Sequence, residues 1–288
     1  MKRLRRHAPV KVQQQTKIID TDDIVAEGTF GDITRSYVVP THRELARKVM
    51  PTNYRAAREV LCLQMLKHRH VASMYDWFVT GAHCCVYLDL YSTSLDAFLE
   101  ANTFEVPERL RLVEQIGDAL HHAHREFGLV HRNVRPSHIF IKSFHPLDVV
   151  LGGWGAARGI RPNERSLTVD NFFAVYMSPE MPKGQYDEMV DTWALGCVLY
   201  EMICGYSAIA LGYELRWAGD DPQELKLLRG LLQRNPKDRM DAAGVMHILR
   251  QSRVACPARR AEPLSRVFYA CESGVVRDEV ARSVLVMA

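Results

Sequence analysis

Two glycines in Ala26-Glu27-Gly28-Thr29-Phe30-Gly31-Asp32-Ile33 have a type and spacing that suit a chemical task, because glycine lets backbone amides close over a phosphate. Glycine pairs are also common at plain hairpins, so this stretch alone is a weak signal. A second stretch reads His131-Arg132-Asn133-Val134-Arg135-Pro136-Ser137-His138. The neutral amide of Asn133 can orient a hydroxyl but cannot accept its proton at neutral pH. The imidazole of His138 suits zinc or copper better than a hard, oxygen-seeking cation. The seven cysteines, at positions 62, 84, 85, 197, 204, 256 and 271, form no CxxC pair and no zinc spacing, and an odd count suits reduced thiols. Cys84 and Cys85 are neighbours in an expected strand and point to opposite faces.

The elements that would position these residues change character along the chain. Residues 24 to 50 read as strands broken by Gly28 and Gly31, and Tyr54 to Lys67 places Val60, Leu63 and Leu66 at helical spacing. Residues 74 to 90 read as two more strands around Thr80 and Gly81. Beyond Ser94 the pattern turns helical: Leu95 to Glu100, a long helix from Pro107 to about Phe127, then Tyr186 to Gly205, Pro222 to Gln233 and Ala242 to Arg250. Short strands are expected at Ile139 to Ile141 and Val149 to Leu151, joined by a turn containing Pro146. The expected organisation is a basic N-terminal arm (1–19), a β-rich lobe (20–90), a helical lobe (91–252) and a tail (253–288) whose residues Val275 to Met287 could stripe a short docked helix.

The 288 residues can bury a substantial core, and 47% hydrophobic with 25% charged residues is ordinary for a globular protein. A net charge of +3 with the basic residues spread along the chain gives no reason to expect a nucleic-acid partner. No apolar run approaches the roughly 18 residues of a membrane span, and no apolar stretch follows the basic start as a secretory signal would require. The expectation is a cytoplasmic or nuclear protein.

Further stretches then add up: Leu45-Ala46-Arg47-Lys48, Arg58-Glu59-Val60, Leu88-Asp89-Leu90-Tyr91, Leu151-Gly152-Gly153-Trp154-Gly155, Met177-Ser178-Pro179-Glu180, Asp191-Thr192-Trp193-Ala194-Leu195-Gly196 and Asn235-Pro236-Lys237-Asp238-Arg239. Their order makes the chain resemble the protein-kinase family, of Ser/Thr type, from about residue 20 to 250. The resemblance implies an α+β, two-lobe fold with a small β-rich N-lobe carrying one main helix and a larger helical C-lobe. It implies that Gly28 and Gly31 belong to a glycine-rich loop in which Ala26 replaces the first glycine, followed by Ile33. It places Ala46 and Lys48 on the strand whose lysine pairs the α- and β-phosphates, and makes Glu59 the residue that orients that lysine. Asp89 and Tyr91 fall in the hinge whose backbone would meet an adenine. Glu180 and Arg239 are implied to form a buried architectural pair.

The departures fall on the chemistry. By the same resemblance Asn133 stands where an aspartate accepts the hydroxyl proton, His138 where an asparagine binds magnesium, and Gly153 where an aspartate binds magnesium. Arg135 replaces a lysine and Phe173 a threonine. Asp148, before the strand leading into Gly153, and Asp32, on the glycine-rich loop where it would repel phosphate, are the carboxylates considered as substitutes, and neither is placed for the task. His131, Leu63 and Trp154 align with the hydrophobic spine between the lobes. Arg132 matches an arginine that grips a phosphate on the segment holding Arg165, Ser166 and Thr168. The expectation is a degenerate member with no intact catalytic residue. Such a member could still hold ATP without metal, with magnesium not expected, and would dock on a protein partner such as an active kinase. The alternative is a weakly active atypical Ser/Thr kinase transferring the ATP γ-phosphate to protein, with Asn133 orienting the hydroxyl.

Overall fold

The computed structural model describes residues 17–28, 31–39, 41–159, 174–184, 186–205 and 221–255. The arm before residue 17, the segment holding Arg165, Ser166, Thr168 and Phe173, most of the stretch between Gly205 and Leu225, and the tail after residue 255 lie outside the described residues. The chain divides into two units, Met1–Ser252 and Arg253–Ala288. All but the last residues of the final helix described below belong to the first.

The N-lobe is an antiparallel sheet of five strands in the order β1-β2-β3-β5-β4, made of β1 (Lys17–Gly28), β2 (Gly31–Val39), β3 (Arg43–Pro51), β4 (Met74–Thr80) and β5 (His83–Asp89). β1 begins three residues before the expected lobe boundary, because Lys17, Ile18 and Ile19 pair with Val39, Val38 and Tyr37, so the strand takes up the end of the expected basic arm. Between β3 and β4 runs helix α1 (Tyr54–Met65), started by Asn53, whose side-chain oxygen accepts from the amides of Arg55 and Ala56 at 2.9 and 3.1 Å. Ala56 and Val60 of α1 pack on Met50, Cys84 and Val86 of the sheet.

The chain then straps the lobes together. Val71 makes a parallel bridge to Leu151, the Leu151 amide donates to the His70 carbonyl, and the Ala72 amide donates to the Leu151 carbonyl, both at 2.9 Å. His70 lies in the same strap, with Nδ1 2.9 Å from the carbonyl of Val149.

The C-lobe follows with β6 (Thr93–Ser94), α2 (Leu95–Leu99), α3 (Val106–Phe127), β7 (Leu129–Val130), β8 (Ile139–Phe144), β9 (Leu147–Leu151) and β10 (Arg158–Gly159). α3 starts where Pro107 predicts it, with a reciprocal cap between Glu105 and Glu108, and ends at Gly128, which has φ 58°. The two-residue strands β6, β7 and β10 are too short to leave a periodic trace in sequence. Helices α4 (Met189–Cys204), α5 (Pro222–Leu231) and α6 (Ala242–Ala255) complete the lobe. Every residue of α4 from Val190 to Met202 is buried, so it is the central helix of the core. Among the described residues no helix is long and apolar enough to cross a membrane.

Arg239 fixes the lower part of this lobe. Its guanidinium donates to both oxygens of Glu180 at 2.6 and 3.0 Å and to the Met189 carbonyl at 2.8 Å, and lies 4.9 Å from the ring centroid of Trp193. Both partners are buried, so replacing Glu180 with Gln leaves a buried cation without its counter-charge. The E180Q variant is expected to lose roughly 3–5 kcal/mol of unfolding free energy, measured by urea denaturation.

Candidate functional site

The face of the sheet toward α1 brings together residues far apart in sequence. Ile33 lies opposite Lys48 in the β2–β3 ladder, Lys48 opposite Val86, and Ala46 opposite Leu88. From this face the Lys48 ammonium donates to both oxygens of Glu59 at 2.8 Å. Glu59 is buried on α1, where a side chain on Gly155 would come within 3.2 Å of its carboxylate and 3.3 Å of the Arg55 carbonyl. The glycine lets the turn Trp154–Ala156 pack directly on α1 and hold Glu59 toward Lys48. Gly28 and Gly31 face each other as the last ladder pair of the β1–β2 hairpin.

At the hinge, the Asp89 amide donates to the Ser73 carbonyl at 3.0 Å, and its carboxylate accepts from Arg43. Neither group is turned to a ligand. Tyr91 is committed as well: its hydroxyl accepts from the Ser73 amide at 2.8 Å and its ring stacks 5.7 Å from Phe140. Burial pushes this phenol up to about 12.

Across the cleft, Asp191 at the start of α4 is fully buried and accepts from the amides of His131 and Arg132 at 2.8 and 2.7 Å and from His124 at 2.8 Å. Burial alone would raise this carboxyl, but the bond and charge of His124, with His131, hold it below the ordinary value. The His131 ring stands 4.5 Å from Trp154, edge to face, and bonds the Gly152 carbonyl at 2.8 Å, while Leu63 joins the same core. The three aligned spine residues are thus buried together.

The Arg132 guanidinium donates to the Ala156 carbonyl at 2.7 Å and to the Tyr186 hydroxyl at 2.8 Å, and the residue is buried. These bonds give Arg132 an architectural role. Tyr186 gave no signal in sequence, since only the fold brings it to Arg132.

The departures meet in one place. Nδ1 of His138 donates to the Asn133 carbonyl at 2.8 Å, a bond that by itself favours the protonated ring. Burial, followed by the positive charges of Arg135, His131 and Lys48, holds its pKa well below 6.5. Gly153 sits in the left-handed region at φ 72°, and a Cβ built on it would lie 2.5–2.6 Å from three atoms of the His138 ring. Next to it, a Cβ on Gly152 would lie 2.6 Å from the Phe140 ring. Asp148 is directed elsewhere, to His70 at 3.5 Å and Lys142 at 3.4 Å. Among the described residues no group of three or more His, Cys, Asp or Glu side chains could hold a metal ion. An amide, a neutral imidazole and a glycine are not a donor set for magnesium, which takes carboxylate and water oxygens.

With this geometry in hand, comparison with known proteins is direct: the family described as Protein kinase domain matches residues 19–250. This chain belongs to the protein kinase family. Its kinase domain is similar to calcium-dependent protein kinase 5 of Plasmodium berghei, 23% identical over 68% of this chain and 38% of that protein. It is also similar to human ribosomal protein S6 kinase alpha-1, 28% identical over 70% and 28%, and to mouse serine/threonine-protein kinase 36, 27% identical over 78% and 18%. The chain therefore spans less than two-fifths of the length of these relatives.

Four histidines, two buried and two half-buried, give the kinase domain a measurable acid response. His68, His70, His131 and His138 are each held below 6.5, in every case by burial first. Unfolding restores the ordinary value, so just below 6.5 the unfolded chain binds more protons and stability falls as pH drops. Melting temperature is expected to decline as pH falls from 6.5 to about 5, and H138N to flatten that slope.

Proposed function

We propose that this chain is a pseudokinase: a kinase domain that keeps the scaffold and the lysine–glutamate pair but does not transfer phosphate, and that acts by binding another protein. One observation carries the reading. The His138 ring occupies the space in which any side chain at position 153 would begin, 2.5 Å from the added Cβ. In this packing a ring at 138 and a side chain at 153 compete for the same space, so the two departures from the family pattern read as a single exchange. Phosphoryl transfer needs a metal to neutralise the phosphates and a carboxylate near the attacking hydroxyl. The exchange removes the first requirement and Asn133 the second.

A nucleotide still has a place to bind. Lys48, held by Glu59, offers a cation, Gly28 and Gly31 offer a hairpin, and Ile33 and Ala46 share the lysine's face of the sheet, with the backbone of Tyr91 at the hinge, since the Asp89 amide is already bonded to Ser73. ATP bound here would act as a structural ligand, adding stability by mass action. The rival reading, a weakly active Ser/Thr kinase in which Asn133 orients the hydroxyl, draws on the same intact ion pair and on the relatives' names.

Thermal unfolding with ATP, with and without Mg²⁺, separates the two when Lys48→Met is run alongside. The expected result is a shift that does not depend on Mg²⁺, or no shift, together with no phosphate transferred to Ser/Thr peptides. A Mg²⁺-dependent shift lost in Lys48→Met, with phosphotransfer, would overturn the proposal. A second check addresses the exchange itself. Gly153→Asp alone should lose about 1–2 kcal/mol for left-handed backbone and roughly 1–3 kcal/mol more for overpacking against His138. The H138N/G153D double variant should recover the packing part and gain a Mg²⁺-dependent shift.

A further inference from the structure

Helices α3 and α6 meet closely and then part. A Cβ on Gly117 of α3 would lie 3.2 Å from the Val245 side chain and 3.7 Å from the Met246 sulfur, so the missing side chain lets the two helices touch there. One turn further along α3, at His121, they border a cavity of about 290 Å³, close to the lower size of sites that hold a small organic molecule. Its lining is His121, Ala243, Met246, His247, Arg250 and Gln251. Met246 is buried and gives the cavity an apolar floor, His121 and Ala243 are half-buried, and the other three are exposed at the rim.

The polar groups around this cavity are mostly donors. Arg250 carries a rigid fork of N–H groups. The Gln251 amide donates to Nε2 of His247 at 2.8 Å, which puts that ring's proton on Nδ1. His121 has no hydrogen-bond partner among the described residues. Arg125, four residues beyond His121 on the same side of α3, is exposed and adds a second cation. No carboxylate lines the cavity, and α6 carries no acidic residue. The acids flanking it are engaged or turned away. Asp118, three residues before His121, lies 3.9 Å from Arg250, at the limit of an ion pair, and is shared with Arg69 at 3.4 Å and His68 at 3.3 Å. Glu114 has a partner of its own, and Asp241 accepts the Gly244 amide at 2.7 Å. Glu126 lies about 140° around α3 from His121. One carboxylate between two guanidinium groups leaves positive charge at the cavity rim.

We propose that the cavity between α3 and α6 binds a small phosphate monoester, its phosphate on Arg250, His121 and His247 and its organic body on Met246 and Ala243. A phosphate offers three acceptor oxygens to these donors, and a guanidinium takes two of them at once. A ligand carboxylate would have only two oxygens, enough for the guanidinium and too few for both rings as well. The site is built on α3 and α6 without Lys48 or any residue of the cleft, so it stands or falls separately from the loss of phosphotransfer.

The test titrates the full chain with benzyl phosphate and follows the ring-proton resonances of its histidines, with His121→Asn and His247→Asn identifying the two signals. Both signals should shift and saturate. Binding read at these rings should weaken about tenfold or more in R250Q and stay unchanged in K48M, which separates this cavity from phosphate held in the cleft. Inorganic phosphate should bind severalfold more weakly, and benzyl alcohol, the body without the charge, should leave both rings unmoved. R250Q changes an exposed side chain and should keep the melting temperature of the parent. Rings that stay in place at millimolar benzyl phosphate, or shifts that R250Q leaves unaltered, would overturn the proposal. Equal binding of inorganic phosphate and benzyl phosphate would also overturn it, by leaving the organic body no place in the cavity.

Discussion

A single buried carboxylate, Asp191, sets the geometry on which the cleft depends. With no exposure to water it accepts two backbone amides, those of His131 and Arg132, and the ring of His124. The bonds hold Arg132 at φ 66°, a conformation uncommon outside glycine. That backbone setting carries the His131 ring to Trp154 and Gly152 and the Arg132 guanidinium to Ala156 and Tyr186. Because Asp191 belongs to α4, the most buried helix, the cleft floor is tied to the centre of the C-lobe core.

This frame makes no demand on what stands at the chemical centre. Lys48 with Glu59, Glu180 with Arg239 and Asp191 with His124 each satisfy a buried charge locally, so the energetic reason to keep them holds with or without catalysis. Asn133, His138 and Gly153 are fitted to one another instead. The carbonyl of the first accepts from the second, whose ring fills the space left by the third. Since each element of that arrangement is neutral, it can be packed in the cleft at little electrostatic cost.

Much of the fold was legible along the chain because the signals are local. Pro107 and Gly128 bracket α3 by helix-start and helix-stop chemistry, and the ordered motifs place Lys48, Glu59, Glu180 and Arg239 in pairs that the structure makes. The start of β1 at Lys17 was not legible, since Ile18 and Ile19 become a strand only by pairing with Val38 and Tyr37. Nor was the commitment of Arg132, because Tyr186 lies 54 residues away in sequence.

By itself the sequence determined which residue types stand at the chemical positions: an amide, an imidazole and a glycine where the family pattern has carboxylates and an asparagine. It also determined the two-lobe order of strands and helices, because propensity, capping and periodicity act over a few neighbouring residues. Only the tertiary structure decided that the His138 ring fills the space beside Gly153, that the Asp89 and Tyr91 side groups are already bonded, and that Leu61 and Trp77 stay exposed. Those are statements about volume and direction between distant residues. Such relations exist only once the chain has closed on itself and water has been driven from between them.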